Sequence, residues 1–227
     1  MVAKLYTLDA SPPNRACMIA CELFKVPVEF VEVNVLEDEH LKPEFLKINP
    51  LHTIPVLQDG DLVLHDSHAI LMYVADVYGK QDSFYPKEPR QRALVNQKLF
   101  FVATILFARL RSITAPILTE GSKEISQKNL NAIEEAYGFL EEFLSRAKYL
   151  AGNNITIADI AAYPTISSLL FLLELNAQKP LISRPRNWST TSYLLAVDPT
   201  EVGFLTTFFC GMTERPLNIC EKTALIS

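Results

Sequence analysis

Residues 4–35 read KLYTLDASPPNRACMIACELFKVPVEFVEVNV, and this stretch decides the class of fold. Lys4–Leu8 is a short apolar run and Val28–Val35 is rich in β-branched residues, so each is expected to be a strand. Between them, Ser11-Pro12-Pro13 supplies a cap with proline in the first turn, and Ala16, Ile19, Ala20, Leu23 and Phe24 recur at three-to-four spacing. That spacing predicts a helix packed on a sheet. Further along, Lys42–Lys47 predicts a short helical piece. Pro55-Val56-Leu57 and Leu62-Val63-Leu64 flank Asp59-Gly60, a favoured tight-hairpin dipeptide. Asp66-Ser67 opens a helix through Ala69–Tyr78, closed by Gly79. The expected order of the first eighty residues is β-α-β-α-β-β-α, an α/β unit.

Residues 80–90 (KQDSFYPKEPR) are polar and marked by proline, as a linker is, and every periodic segment beyond them is helical. Arg92–Arg111 is apolar nearly all round its middle, which argues for burial on several sides, and Pro116 is expected to end or kink it. Leu130, Ile133, Ala136, Tyr137, Leu140, Phe143 and Leu144 mark an amphipathic helix. Thr156-Ile157-Ala158-Asp159 is a capping-box-like start to a third helix through roughly Leu173, interrupted by Pro164. The expected division is an α/β domain over 1–80, a linker over 81–90 and an all-α domain over 91–227.

Composition removes several classes of function. The 227 residues carry 21 Lys and Arg against 26 Asp and Glu, a formal charge of −5, with no basic block, so neither nucleic acid nor an anionic membrane is an expected partner. The 7 glycines never fall into dinucleotide or P-loop spacing, and they are outnumbered by 14 prolines. Cys17, Cys21, Cys210 and Cys220 form no CxxC pair, which suits a reducing cytoplasm. The first residues show no secretory signal pattern. The apolar runs near Leu99–Leu110 and Leu169–Leu173 fall short of the ~20 residues that span a bilayer, so no membrane segment is expected. All four histidines, His40, His52, His65 and His68, lie in one short stretch. His65-x-x-His68 straddles a strand-to-helix turn with no cysteine or third ligand beside it, so no metal is expected.

Six segments carry a resemblance: LYTLDASPPNRA from Leu5, HLKPEFLKINPLHTIPVL from His40, DSHAI from Asp66, YPKEP from Tyr85, LFARLRSI from Leu106 and ITIAD from Ile155. Together they resemble a cytosolic glutathione S-transferase, nearest the insect epsilon class with the delta class next, over roughly residues 3 to 175. The resemblance implies a thioredoxin-like glutathione-binding domain followed by an all-helical domain, and a homodimer. It implies glutathione as co-substrate, and a small hydrophobic electrophile as the second substrate. Two other activities fit the resemblance: glutathione-dependent peroxide reduction or isomerisation, and non-catalytic carriage of hydrophobic ligands.

The site residues follow from the same resemblance. Ser11 matches the catalytic serine, whose hydroxyl would hydrogen-bond the glutathione sulfur at a helix N-terminus; helix capping is its alternative role. A free thiol has a pKa of about 8.5, and lowering it by ~2 units takes ~2.7 kcal/mol, within reach of one charge-assisted hydrogen bond and a helix dipole. His52 is implied near the glycyl carboxylate, with His40 and His68 as further contacts or, alternatively, solvated surface residues. Ile54-Pro55 matches a cis-proline edge for the cysteinyl backbone. Asp66 and Ser67 match the γ-glutamyl grip, a carboxylate for the ammonium, and a hydroxyl with helix N-terminal amides for the carboxylate. Arg111 matches an arginine facing the site, implied to contact glutathione and to border the electrophile pocket or, alternatively, to be a solvated surface charge, and Pro13, Leu36, Phe107, Ala108, Leu118 and Thr119 are expected beside it in that pocket. Cys17 and Cys21, at i and i+4, are expected in the core. Thr156 and Asp159 are expected to serve folding.

The resemblance stops near Asn176. The residues from there to the end hold Pro180, Pro185, Pro199 and Pro216 and an uncharged run over Val202–Met212, with no family motif. An altered reading frame or alternative exon is the expected origin of this tail.

Overall fold

The structure, a computed structural model, describes residues 2–122 and 124–176, with side chains described as far as residue 169. The tail discussed above, with Cys210 and Cys220, lies outside the described residues. Strand β1 (Ala3–Thr7) leads into helix α1 (Pro12–Leu23), then β2 (Val28–Glu32), two single 3₁₀ turns, the short helix α2 (Pro43–Leu46), the hairpin β3 (Val56–Asp59) and β4 (Leu62–His65), and helix α3 (Ser67–Tyr78). The sheet order is β2-β1-β3-β4, with β1 and β2 parallel and the other pairs antiparallel.

Alternation along β1 sets the two layers. Ala3, Leu5 and Thr7 are buried on one face, and Tyr6 on the other meets Phe45 of α2 edge to face at 6.0 Å. Phe45, Val33 and Val56 form a small core there, with Ile48 and Ile54 packed against it.

Three local expectations shift. The strand expected to run to Val35 ends at Glu32, because the Asn34 side chain accepts from the Leu36 amide and turns the chain into a 3₁₀ turn. Asp59 pairs with Leu62, so the hairpin loop is Gly60-Asp61 rather than Asp59-Gly60, and the left-handed position, φ +64°, falls on Gly60. Gly79 ends α3 with φ −66°, not in the left-handed region; a Cβ there would lie 2.3 Å from the Ala75 carbonyl oxygen, so space, not φ, requires the glycine.

Pro116 neither ends nor breaks its helix. The helix runs from Pro89 to Glu120 as α4 (Pro89–Phe101), a π-helical segment (Val102–Phe107) and α5 (Ala108–Glu120). Proline offers no N–H to the Ser112 carbonyl four residues back, and Asn129 Nδ2 donates to that oxygen instead, at 3.2 Å. This helix is long and apolar enough to cross a bilayer by length and composition, which counting unbroken apolar runs does not detect. Its buried residues Val95, Leu99, Val102, Leu106, Leu110 and Ile113 belong to the core of the helical part, and Arg109 ties it to Glu135 and the Ala132 carbonyl of α6 (Gln127–Arg146).

Helix α7 (Ile157–Asn176) begins where Thr156 and Asp159 cap it, and it continues through Pro164. Buried Asp159 accepts from the amides of Leu150 and Thr156 and from the Thr156 hydroxyl, at 2.8–3.0 Å. The Ile157 amide donates to the Phe84 carbonyl, which seats α7 on the segment following α3.

Candidate active site

Strand register brings the expected glutathione residues to one end of the sheet. Tyr6 pairs with Val56 and Val56 with His65, so the exits of β1 and β4 and the start of β3 share a row. Thr7 pairs with Glu32 in the parallel neighbour, so β2 exits at the same end. The four segments meeting there carry Ser11, His40, the His52–Pro55 loop and Asp66–His68.

Ser11 is the N-cap of α1 with an extended backbone, and its hydroxyl makes no capping bond. The capping role therefore does not hold. Pro12 and Pro13, at the first two helical positions, remove two of the amides that a helix start offers, and the amide of Asn14 remains at the third.

The loop before β3 is built on Asn49, whose side chain is fully buried. It donates to the Thr53 carbonyl and hydroxyl at 2.9 and 3.1 Å and accepts from the Leu51 amide. These bonds hold His52 at φ +47°, a strained conformation for a non-glycine residue, and set its ring 6.2 Å from that of His40. The Ile54-Pro55 bond is cis. His40 Nδ1 and His68 Nε2 are buried without a hydrogen-bond partner among the described residues.

Asp66, also at positive φ (+75°), caps α3 by accepting from the amides of His68 and Ala69 at 2.8 and 3.3 Å. The hydrogen bond from His68, ahead of the backbone bonds, holds its carboxyl below the ordinary range against the opposing effect of partial burial. Asp66 takes two of the amides at this helix start, those of His68 and Ala69, and the Ser67 hydroxyl lies 3.4 Å from His68 Nδ1. Sequence reasoning missed Cys17 at this point. Its buried thiol donates to the Ser67 carbonyl at 3.6 Å and joins α1 to the start of α3.

The expected electrophile wall is spread over three places. Pro13 lies in the first turn of α1, Leu36 in a 3₁₀ turn after β2, and Phe107, Ala108, Arg111, Leu118 and Thr119 along the π segment and α5. Pro13 and Phe107 are half-buried and the others exposed. Arg111 has no hydrogen-bond or ion-pair partner among the described residues, whereas Thr119 donates to the Ala115 carbonyl of its own helix. A separate groove of about 470 Å³ runs between α4 and the end of α6, lined by Leu94, Lys98, Phe101, Phe143 and Arg146, on elements that carry none of the expected glutathione residues. Among the described residues no three His, Cys, Asp or Glu side chains gather as a metal site would need.

A mixed sheet with a proline-opened helix at its active end, followed by a bundle of long helices, defines a thioredoxin-like glutathione-binding unit joined to a helical one. Two family models match in succession, "Glutathione S-transferase, N-terminal domain" over residues 5–82 and "Glutathione S-transferase, C-terminal domain" over 80–184. The chain belongs to the glutathione S-transferase family, in the delta/epsilon group of insects, and is a transferase that uses glutathione as co-substrate. Glutathione S-transferase 1 of Manduca sexta is 44% identical over 170 residues, 74% of this chain and 78% of that one. Glutathione S-transferase D6 of Drosophila melanogaster is 39% identical over 164 residues, covering 72% and 76%. An epsilon-class enzyme from the housefly Musca domestica superposes with TM-score 0.72 at 44% identity, covering 74% and 78%. A Drosophila mojavensis homologue with bound glutathione superposes with TM-score 0.76 at 39% identity, covering 86% and 84%.

Proposed function

We propose that Ser11 donates its hydroxyl proton in a hydrogen bond to the glutathione sulfur, holding it as the thiolate that attacks a small hydrophobic electrophile. The observation that carries this is the uncapped Ser11 hydroxyl at a helix start from which two prolines have removed the competing amides. In this reading Asp66 pairs with the γ-glutamyl ammonium and Ser67 receives the adjacent carboxylate. The cis bond at Ile54-Pro55 presents backbone groups to the cysteinyl residue, and His52, His40 and His68 face the glycyl end and its surroundings. Arg111 and the apolar residues Pro13, Leu36, Phe107, Ala108 and Leu118 receive the electrophile, with Thr119 at the edge. Activation of the nucleophile and proximity of the two substrates supply the rate.

The same reading takes residues 1–80 as the glutathione domain, 81–90 as a linker and the rest as the electrophile domain, in a cytoplasmic homodimer. Exposed Leu62 and Val63 on β4, Val77 on α3 and Leu94 and Phe100 on α4 supply apolar surface for a second copy. The test is a glutathione conjugation assay on the protein and on Ser11→Ala. Losing a charge-assisted hydrogen bond of about 1.5–3 kcal/mol should lower kcat/KM roughly 10- to 100-fold while glutathione still binds. Full activity in Ser11→Ala would overturn the mechanism, and glutathione binding without turnover of any electrophile by the unaltered protein would make it a carrier.

A further inference from the structure

We infer that Arg15 is a positioning residue for this reaction: it fastens the first turn of α1 to the middle of α7 and carries a part-buried positive charge on the residue one turn after Ser11. The inference rests on the reading of Ser11 given above.

Ser11 and Arg15 are four residues apart, and the Arg15 amide donates to the Ser11 carbonyl at 3.0 Å, closing the first turn of the helix. Helical side chains lean toward the N-terminus, so an arginine here lies over the turn that presents Ser11. Its guanidinium reaches across to α7. Nη2 donates to the Pro164 carbonyl at 3.2 Å and to Ser168 Oγ at 2.5 Å, and Ser168 Oγ in turn donates to the Pro164 carbonyl at 2.9 Å. The Pro164 carbonyl thus collects the arginine and the hydroxyls of both Ser167 and Ser168, which fixes the guanidinium to one turn of α7.

Nε of the same guanidinium is buried and has no partner among the described residues. The positive charge is thus part-buried, with one of its donors unpaired. The acidic groups acting on it are Asp9, from the β1–α1 loop, and the Tyr163 phenol on α7, and burial outweighs both in lowering the guanidinium's pKa from its ordinary value. Arginine stays protonated under such a shift. Because Pro12 and Pro13 take two of the amide donors from the helix start, a part-buried cation on the same turn adds to the positive potential that the remaining amides supply.

The test measures the thiolate absorbance of enzyme-bound glutathione against pH, with kcat/KM, the glutathione Kd and Tm, for the full-length protein and for Arg15→Gln, Arg15→Lys, Ser168→Ala and Ser11→Ala. Arg15→Gln is expected to raise the pKa of the bound thiol by about one unit, which lowers the thiolate fraction at neutral pH roughly threefold, with the Kd changed less than about threefold. Arg15→Lys keeps the charge and should return most of that pKa. Ser168→Ala keeps the charge but frees it, and should move the thiol pKa in the same direction by a smaller amount. An unchanged thiol pKa in a folded Arg15→Gln that loses only Tm would make Arg15 a structural tie and overturn the inference. If Arg15→Gln does not fold, an unchanged thiol pKa in Ser168→Ala overturns it. An unshifted Ser11→Ala overturns the reading of Ser11 instead, whatever the arginine variants do.

Discussion

At the scale of single residues, the two helical cysteines show how chemistry is silenced by place. Cys17 and Cys21 are 0% and 1% exposed, and burial pushes both thiols up, Cys21 to about 12. Neither forms thiolate at neutral pH. Iodoacetamide at pH 8 should therefore leave both unmodified in the folded protein and alkylate both in urea, as read by peptide mass spectrometry; labelling of either in the folded state would contradict the packing. Their burial was legible from the i, i+4 spacing alone. The use of the Cys17 thiol to hold Ser67 was not, because its partner lies 50 residues away in sequence. The same divide separates Ser11, announced by its neighbours, from Arg15, whose partners are 149 and 153 residues away. Periodicity and capping report on a few neighbouring residues and carry no information about a contact closed by the fold.

At the scale of elements, the sequence reading went wrong where an element's end depends on another element. Pro116 should stop a helix by local rules, yet Asn129 of α6 takes over the orphaned carbonyl and α5 continues to Glu120. The end of α3 shows the converse. Gly79 was legible as a terminator, but by local rules it should have been left-handed. Its actual role is steric, so Gly79→Ala should drive a methyl group against the Ala75 carbonyl and cost about 1–3 kcal/mol. A urea midpoint unchanged from that of the unaltered protein would show that the last turn of α3 yields without penalty. The apolar and β-branched runs, the caps and the three-to-four spacing, by contrast, located the strands and long helices among the described residues, because these signals belong to the element itself.

At the scale of the molecule, Arg92 joins the end of α3 to the start of α4. Its guanidinium reaches Asp76 at 2.7 Å and the carbonyls of Pro86 and Tyr85 at 2.6 and 3.3 Å, and it stacks 4.0 Å from the Tyr85 ring centre. The Asp76 pair is partly exposed and screened, so most of the stabilisation comes from the two carbonyls and the stacking. Arg92→Ala should lower stability by about 1–2 kcal/mol. It should also separate the unfolding transitions of the two parts, seen as loss of coincidence between fluorescence and circular dichroism; coincident transitions at the original midpoint would count against a coupling role.

The tie between Arg15 and Ser168 also has a consequence in time. All segments of the glutathione end are synthesised by His68, but the catalytic helix gains its last anchor only when Ser168 has been made, about a hundred residues later. At translation rates of about 5–20 residues per second, the nascent sheet waits roughly 5–20 s with α1 unfastened. During that interval α1 lacks its tie to α7, so the contact between Arg15 and Ser168 can form only after most of the helical half has been made.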